Sequence, residues 1–220
     1  MQTKLIILNA PPKSGKDSSA KYVEKKFPSG MINLVSFKKP LFDMVLSFFS
    51  IDRDEFFRCY NDSKLKEVPH KDLKITDKAY VYLCRVNGVS TLSYGGGYHS
   101  SDMVSISPRN AMIYISECVA KPTFGDDVFG QHLLPQLKQG VVNLCTDGGF
   151  KLEMIPSIEL LGKDNVSIIQ IHRPDYSFDG DSRKYLPNNL TTYNRVVWNT
   201  GTEEDFNESV LSTVQELSNI

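Results

Sequence analysis

Lys4-Leu5-Ile6-Ile7-Leu8-Asn9-Ala10-Pro11-Pro12-Lys13-Ser14-Gly15-Lys16-Asp17-Ser18-Ser19 is the stretch that decides the fold of this chain. The apolar run over residues 5–8 predicts a short buried strand. A tight loop follows, and Ser14-Gly15-Lys16 opens a helical pattern. Strand, loop, lysine and helix N-terminus form the layout of a phosphate-binding loop. Backbone N–H groups in such a loop point at phosphate oxygens, and the helix start adds a partial charge of about +0.5. Lys16 supplies a full charge at the outer phosphates. Against the pattern G-x-x-x-x-G-K-[ST], Ala10 stands at the first glycine and Asp17 at the final hydroxyl. Ala10 is tolerable where the backbone does not need positive φ. The Ser/Thr hydroxyl normally touches Mg²⁺, so either Asp17, through water, or Ser18 takes that task. Lys13, Ser14, Gly15, Lys16, Asp17 and Ser18 are the expected phosphate ligands.

Outward from that stretch, strand-like apolar runs recur at residues 32–37, 141–145, 166–171 and 196–198. Helical patterns lie between them, at 16–27, 41–49, 109–119, 128–137, 152–161 and 203–217. This alternation predicts an α/β fold, a three-layer α/β/α sandwich of the P-loop NTPase kind with a central parallel sheet. Ligands in such folds sit at the carboxyl ends of the strands. Two stretches break the alternation. Residues 79–97 read as a small hairpin insertion around Asn87-Gly88, a strong turn signal. Residues 175–189 are polar and turn-rich and read as a mobile lid after the fourth strand. No boundary divides the 220 residues, so a single domain is expected.

Composition narrows the function. At 40% hydrophobic and 23% charged residues the chain has ordinary globular usage. A net charge of −1 gives no reason to expect a nucleic-acid or membrane-surface binder. The apolar runs are four or five residues, too short for a membrane span. A strand within a few residues of the N-terminus leaves no visible signal peptide. Cys59, Cys84, Cys118 and Cys145 are scattered, without C-x-x-C or Cys/His metal spacing, and point to a reducing cytoplasm. His70, His99, His132 and His172 show no metal spacing either. Nothing in the sequence argues against a homodimer.

Charged residues then fall where anionic ligands are expected. Arg109 follows Ser107-Pro108 at a helix start, where a cation conflicts with the helix dipole unless an anion binds there. It either grips an acceptor phosphate bidentately or pairs with a surface carboxylate. Asp147 ends the third strand and is either a metal-ordering or substrate-contacting carboxylate or an Asp-Gly turn residue. Glu153, one turn on, is a substrate ligand or offsets its helix dipole. Arg173 follows the fourth strand and Arg183 lies in the lid. Phosphoryl transfer needs positive charge on the moving group, and a lid arginine supplies it while excluding water. The alternative for both is salt bridging to Asp175, Asp179 or Asp181. Lys38 and Lys66, in two short basic clusters, line an acceptor pocket or a solvated face.

Several segments together resemble the deoxynucleoside monophosphate kinases of large DNA phages. They are Lys13-Ser14-Gly15-Lys16-Asp17-Ser18, Ser36-Phe37-Lys38-Lys39-Pro40-Leu41, Leu65-Lys66-Glu67-Val68-Pro69 and Ser107-Pro108-Arg109-Asn110-Ala111. Lys121-Pro122-Thr123-Phe124-Gly125-Asp126-Asp127-Val128-Phe129, Asp147-Gly148-Gly149-Phe150-Lys151-Leu152-Glu153 and the lid from Arg173-Pro174 to Leu186 complete the set. The resemblance spans residues 5 to about 186. It implies transfer of the ATP γ-phosphate to a deoxynucleoside 5′-monophosphate with Mg²⁺, in the host cytoplasm, for DNA replication. It places Lys16 on the donor phosphates, Arg109 on the acceptor phosphate, and Arg173 and Arg183 on the transferring group. The family's loop carries aspartate after the lysine, as here. Some relatives carry an arginine where Gly149 stands, a substrate contact that this chain lacks or replaces. A kinase of another small phosphorylated metabolite and a nucleotide-dependent switch are the alternative readings.

Overall fold

The computed structural model describes residues 2–88 and 102–219. Its chain divides into two compact units, one running to Lys38 and resuming at Asp127, the other Lys39–Asp126.

The first unit is an α/β structure around a five-stranded parallel sheet. Its strands are β1 (Lys4–Asn9), β2 (Ile32–Val35), β5 (Val142–Cys145), β6 (Val166–His172) and β7 (Tyr193–Trp198), in the order β2-β5-β1-β6-β7. Ile7 pairs with Cys145 on one side and with Ile168 on the other, which fixes the register of the centre. All six residues of β1 are buried, as a strand covered on both faces requires. Helix α1 (Lys16–Lys26) and the long α9 (Glu203–Ser218) cover one face. Ile6, Leu8, Ile169 and Ile171 pack there with Ala20, Val23, Phe206, Val210 and Val214. The connection from β1 to β2 runs one way across the sheet, while that from β5 through α8 (Lys151–Leu161) to β6 runs the other. With both crossovers right-handed, α8 falls on the face opposite α1. Met154 of α8 is fully buried, and α7 (Val128–Leu133) packs against α8.

The strand order therefore reverses at β1 and β5, and the loops after these two strands flank the switch point. That is where open parallel sheets bind ligands.

In the second unit, α2 (Lys38–Phe49) leads into α3 (Arg53–Asn61). A 3₁₀ turn (Leu65–Glu67), β3 (Lys74–Thr76), α4 (Asp77–Val86), β4 (Met103–Ser105), α5 (Pro108–Ile113), a π-helical stretch (Tyr114–Ala120) and α6 (Lys121–Phe124) follow. Phe42, Phe56, Phe57 and Tyr60 form an aromatic cluster between α2 and α3. Residues 79–86, expected as the first arm of a hairpin, are helical instead. Thr76 caps α4 through its hydroxyl, which accepts from the Ala79 N–H. The cap and the buried Leu83 and Cys84 on one face outweigh the alternating tyrosines. The second arm, residues 89–97 with Tyr94, lies outside the described residues.

Among the described residues no helix is long and apolar enough to cross a membrane.

Candidate functional site

Three carbonyls of the loop after β1 are each held by a donor. The Lys13 carbonyl accepts from Arg173 Nη1 at 2.7 Å, and the Ser14 carbonyl accepts from Asn199 Nδ2 at 3.0 Å. The Gly15 carbonyl accepts from the Ser19 N–H at 3.0 Å and the Ser18 hydroxyl at 2.9 Å. In a trans peptide each carbonyl points opposite the next residue's N–H. The N–H groups of Ser14, Gly15 and Lys16 therefore face away from those donors. Lys13 (φ 62°) and Gly15 (φ 91°) both adopt left-handed backbone, the local geometry that curls successive N–H groups into an anion-holding concavity. Gly15 is required here, because a Cβ would also lie 2.8 Å from Phe206 Cε1. It is the N-cap of α1 and offers no side-chain cap to the helix's orphan donors. The Ser14 hydroxyl is buried without a hydrogen-bond partner among the described residues.

Cations gather beside this loop. Lys16 is buried on the first turn of α1, its ammonium 3.5 Å from the exposed Asp17 carboxylate. Lys38 starts α2, and its ammonium is held below the ordinary lysine value. Burial is the first cause, and the nearby Arg183 guanidinium and Lys16 ammonium add to it; Asp147 and Asp181 pull the other way. Arg183 is 8% exposed and chelated by Asp181, with Nε to Oδ1 at 2.9 Å and Nη2 to Oδ2 at 2.6 Å. That pairing lowers the Asp181 pKa to about 2 against the opposing effect of burial. Lys16, Lys38 and Arg183 thus come from three chain segments into one electrostatic neighbourhood.

Asp147 serves a different purpose from a free ligand. Its Oδ1 accepts from the Phe37 N–H at 3.0 Å and lies 3.0 Å from Cys145 Sγ. Its Oδ2 accepts from the Ser36 hydroxyl at 2.5 Å and the Lys38 N–H at 2.9 Å. Both oxygens are used to start α2 and hold Lys38 in place. Glu153 is buried in the first turn of α8. Arg109 and Lys66 belong to the second unit, where Arg109 Nε pairs with Glu67 at 2.6 Å and Lys66 Nζ lies 3.9 Å from the Tyr60 ring centre. The surface-carboxylate alternative for Arg109 is what this structure contains, as is the Asp181 alternative for Arg183.

The lid segment is pinned at its later end. The Lys184 N–H donates to the Gly149 carbonyl at 3.3 Å and the Leu186 N–H to Asn9 Oδ1 at 2.7 Å. Asn9 Nδ2 in turn donates to the Gly148 and Lys184 carbonyls, each at 3.1 Å. Arg183 lies across Gly149 so closely that a Cβ there would sit 2.6 Å from Arg183 Cβ. The missing side chain at residue 149 makes room for the arm of Arg183.

Sequence reading passed over Asn9 and Asn199, whose polarity at strand ends was the available signal. It also passed over an aromatic cavity of about 380 Å³ beyond β6 and β7, lined by His172, Arg173, Tyr176, Phe178, Tyr185 and Trp198. His172 stacks on Tyr185 with centroids 4.3 Å apart, and Arg173 lies over the Tyr176 ring at 4.6 Å. Phe37 is buried in the core.

No protein-family model and no curated protein matches this chain.

Proposed function

We propose that this protein is a P-loop kinase that transfers the γ-phosphoryl group of ATP to a deoxynucleoside 5′-monophosphate, giving ADP and the diphosphate. One observation carries the reading. Lys16, Lys38 and Arg183 converge beside a loop whose N–H groups face away from its own carbonyl partners, at the switch point of a parallel sheet. The Lys38 ammonium is held down first by its burial, with Arg183 and Lys16 adding to that against Asp147 and Asp181. A triphosphate offsets the part that Arg183 and Lys16 contribute.

In this reading the loop and Lys16 hold the donor phosphates. Lys38 and Arg183 stabilise the charge that spreads over the phosphoryl oxygens in flight. An oxygen of the acceptor monophosphate attacks phosphorus, the bond to the β–γ bridging oxygen breaks, and ADP leaves. No side chain acts as nucleophile. Arg173 acts through the loop by fixing the Lys13 carbonyl. Asp17, exposed and carboxylate-bearing, and Ser18 fit a Mg²⁺ ion that keeps most of its water and phosphate ligands. When bound, that ion neutralises phosphate charge. The aromatic cavity next to Arg173 offers stacking faces for the purine of ATP. The phosphate-binding half of the reading rests on the first unit; the identity of the acceptor comes from the resemblance.

The test is ADP formation by the purified protein with ATP, Mg²⁺ and each deoxynucleoside monophosphate in turn, beside a panel of other phosphorylated acceptors. Turnover should require a nucleotide acceptor. Lys16→Ala should cut kcat by at least the roughly 10²–10³-fold typical of losing one charge-stabilising donor. A folded protein that binds ATP and turns over none of the monophosphates would refute the assignment.

A further inference from the structure

We infer that Glu55, Cys59 and His70 of the second unit form a binding site for a divalent transition metal, with zinc the ion their chemistry favours. The inference stands apart from the kinase reading and uses none of its residues.

The three ligand atoms lie within 4.8 Å of one another. Glu55 and Cys59 stand one turn apart on α3, so they share a helix face. Asp52 caps that helix, its carboxylate accepting from the Glu55 N–H at 2.9 Å. His70 is fixed from both sides of its backbone. Its N–H donates to the Ile106 carbonyl at 3.0 Å, and its own carbonyl accepts from the Leu73 N–H at 3.1 Å. Neither the helix nor the loop needs to be reorganised to bring the ligands together.

The distances suit a tetrahedral ion. Zn–N, Zn–O and Zn–S bonds of about 2.0–2.3 Å demand ligand separations of about 3.3–3.7 Å. His70 Nε2 is 3.1 Å from Glu55 Oε1, and Cys59 Sγ is 3.8 Å from the same oxygen. Two edges of the ligand triangle are within a few tenths of an ångström of the required length, and the third, from Cys59 Sγ to the His70 ring nitrogen, is within 4.8 Å and shortens on binding. The Cys59 thiol and the His70 ring both converge on Oε1, and Arg58 Nη2 reaches both Cys59 Sγ at 3.4 Å and Oε1 at 2.8 Å, so an entering cation replaces those contacts and displaces that guanidinium arm.

The surroundings complete the arrangement. Arg58 Nε donates to Glu55 Oε2 at 2.8 Å, which leaves Oε1 as the inward oxygen once Nη2, also 2.8 Å from Oε1, withdraws. His70 Nδ1 accepts from the Asp72 N–H at 3.2 Å, with the Asp72 carboxylate 3.9 Å away. With a metal on Nε2 the proton moves to Nδ1, which then gives up the Asp72 N–H and closes the 3.9 Å gap to the Asp72 carboxylate to donate to it, the arrangement typical of metal-bound histidine. Cys59 is buried, while Glu55 and His70 are partly exposed, so an entry path and a fourth position for water face solvent. Binding releases the thiol proton to solvent as the sulfur–metal bond forms. One nitrogen, one sulfur and one oxygen ligand select zinc over magnesium or calcium, which take oxygen ligands.

The experiment titrates metal-stripped full-length protein, reduced with a phosphine, with Zn²⁺ against a chromophoric chelator and separately with Co²⁺ alone. The expected result is one equivalent of tight Zn²⁺ binding, proton release, and a thiolate-to-cobalt charge-transfer band. Cys59→Ser removes the band. Cys59→Ser and His70→Gln each weaken Zn²⁺ binding by more than the roughly 10–100-fold that loss of an outer hydrogen-bond partner costs. Cys118→Ser leaves both signals intact. Absence of the band in the unaltered protein, or binding that survives Cys59→Ser unchanged, overturns the inference. Should one variant fail to fold by circular dichroism, the other variant and the cobalt spectrum decide.

Discussion

Asp147→Asn separates a structural carboxylate from a catalytic one, and its cost follows from the hydrogen bonds. Oδ1 serves the Phe37 N–H, and Oδ2 serves the Lys38 N–H and the Ser36 hydroxyl. Asparagine keeps one acceptor oxygen and turns the other into an NH₂ donor. The Ser36 hydroxyl can rotate to accept from that NH₂, but a backbone N–H cannot. Whichever way the amide is placed, either Phe37 or Lys38 points its N–H at another donor. With the amide oxygen on Phe37, the Lys38 N–H keeps the Ser36 hydroxyl as an acceptor at 3.1 Å, so the change loses one hydrogen bond to a charged group, about 1.5–3 kcal/mol. Asp147→Ala also strands the Phe37 N–H and costs about 2–4 kcal/mol. Trp198, the only tryptophan, lies on β7 of the same unit, so its fluorescence reports unfolding of the sheet. With a urea m-value of about 2–3 kcal/mol per M, Asp147→Asn should lower the midpoint by about 1 M. A midpoint unchanged in Asp147→Asn, with ATP binding or transfer lost, would refute the capping argument and make Asp147 a ligand.

Three further outcomes are expected. Gly149→Ala places a methyl 2.6, 2.8 and 3.0 Å from Arg183 Cβ, Cγ and Cδ. Displacing that arm should cost about 1–3 kcal/mol of stability and lower kcat at unchanged KM for ATP, read by denaturation and steady-state kinetics. Asp181 has its pKa depressed from 3.8 to about 2, so it contributes stability above its unfolded pKa that is lost as pH falls through the folded value. At about 1.4 kcal/mol per pH unit the contribution is about 2 kcal/mol, and Asp181→Asn should flatten the pH 4 to 2 limb of the stability curve. Trp198→Ala, on a half-exposed wall of the aromatic cavity, should raise KM for ATP about 3–10-fold, the equivalent of one aromatic contact, at unchanged kcat.

The centre of the sheet was legible in the sequence because β1, β5 and β6 are mostly apolar runs buried on both faces. Residues 5–8, 141–145 and 166–171 carry no competing signal. The helices that fill the second unit were less so. α3 packs through Phe56 and Cys59 around charged residues, with a weak apolar stripe, and α4 hides its helical period behind tyrosines that also suit a strand. Lys16 and Arg183 were readable as candidate site residues because a cation at a helix start and a cation in a polar loop each need an explanation. What could not be read is how partners are shared. Asp147 as a cap on another segment, Asn9 as a tie between β1 and the lid, and the Glu55–Cys59–His70 grouping all join residues whose sequence separation carries no motif.

The pinning of the lid changes how its arginine must work in the proposed reaction. Lys184 and Leu186 are hydrogen-bonded to Gly149 and Asn9, one residue and three residues after Arg183. Arg173, at the other end, is tied to Lys13. Movement of the segment as a whole is confined to the stretch between those ties, and the Arg183 backbone sits beside one of them. Its side chain is laid over Gly149 and clasped by Asp181 in the same loop. Charge therefore reaches the phosphoryl group by exchange of partners, with a phosphate oxygen competing against the Asp181 carboxylate for the guanidinium, and not by a long swing of the lid. Exchange between two anions keeps the guanidinium bidentate at the start and the finish. Asp181 thereby holds Arg183 near the loop in the resting protein, and the ease of that exchange depends on how far Lys16 and Lys38 have already drawn the phosphates in.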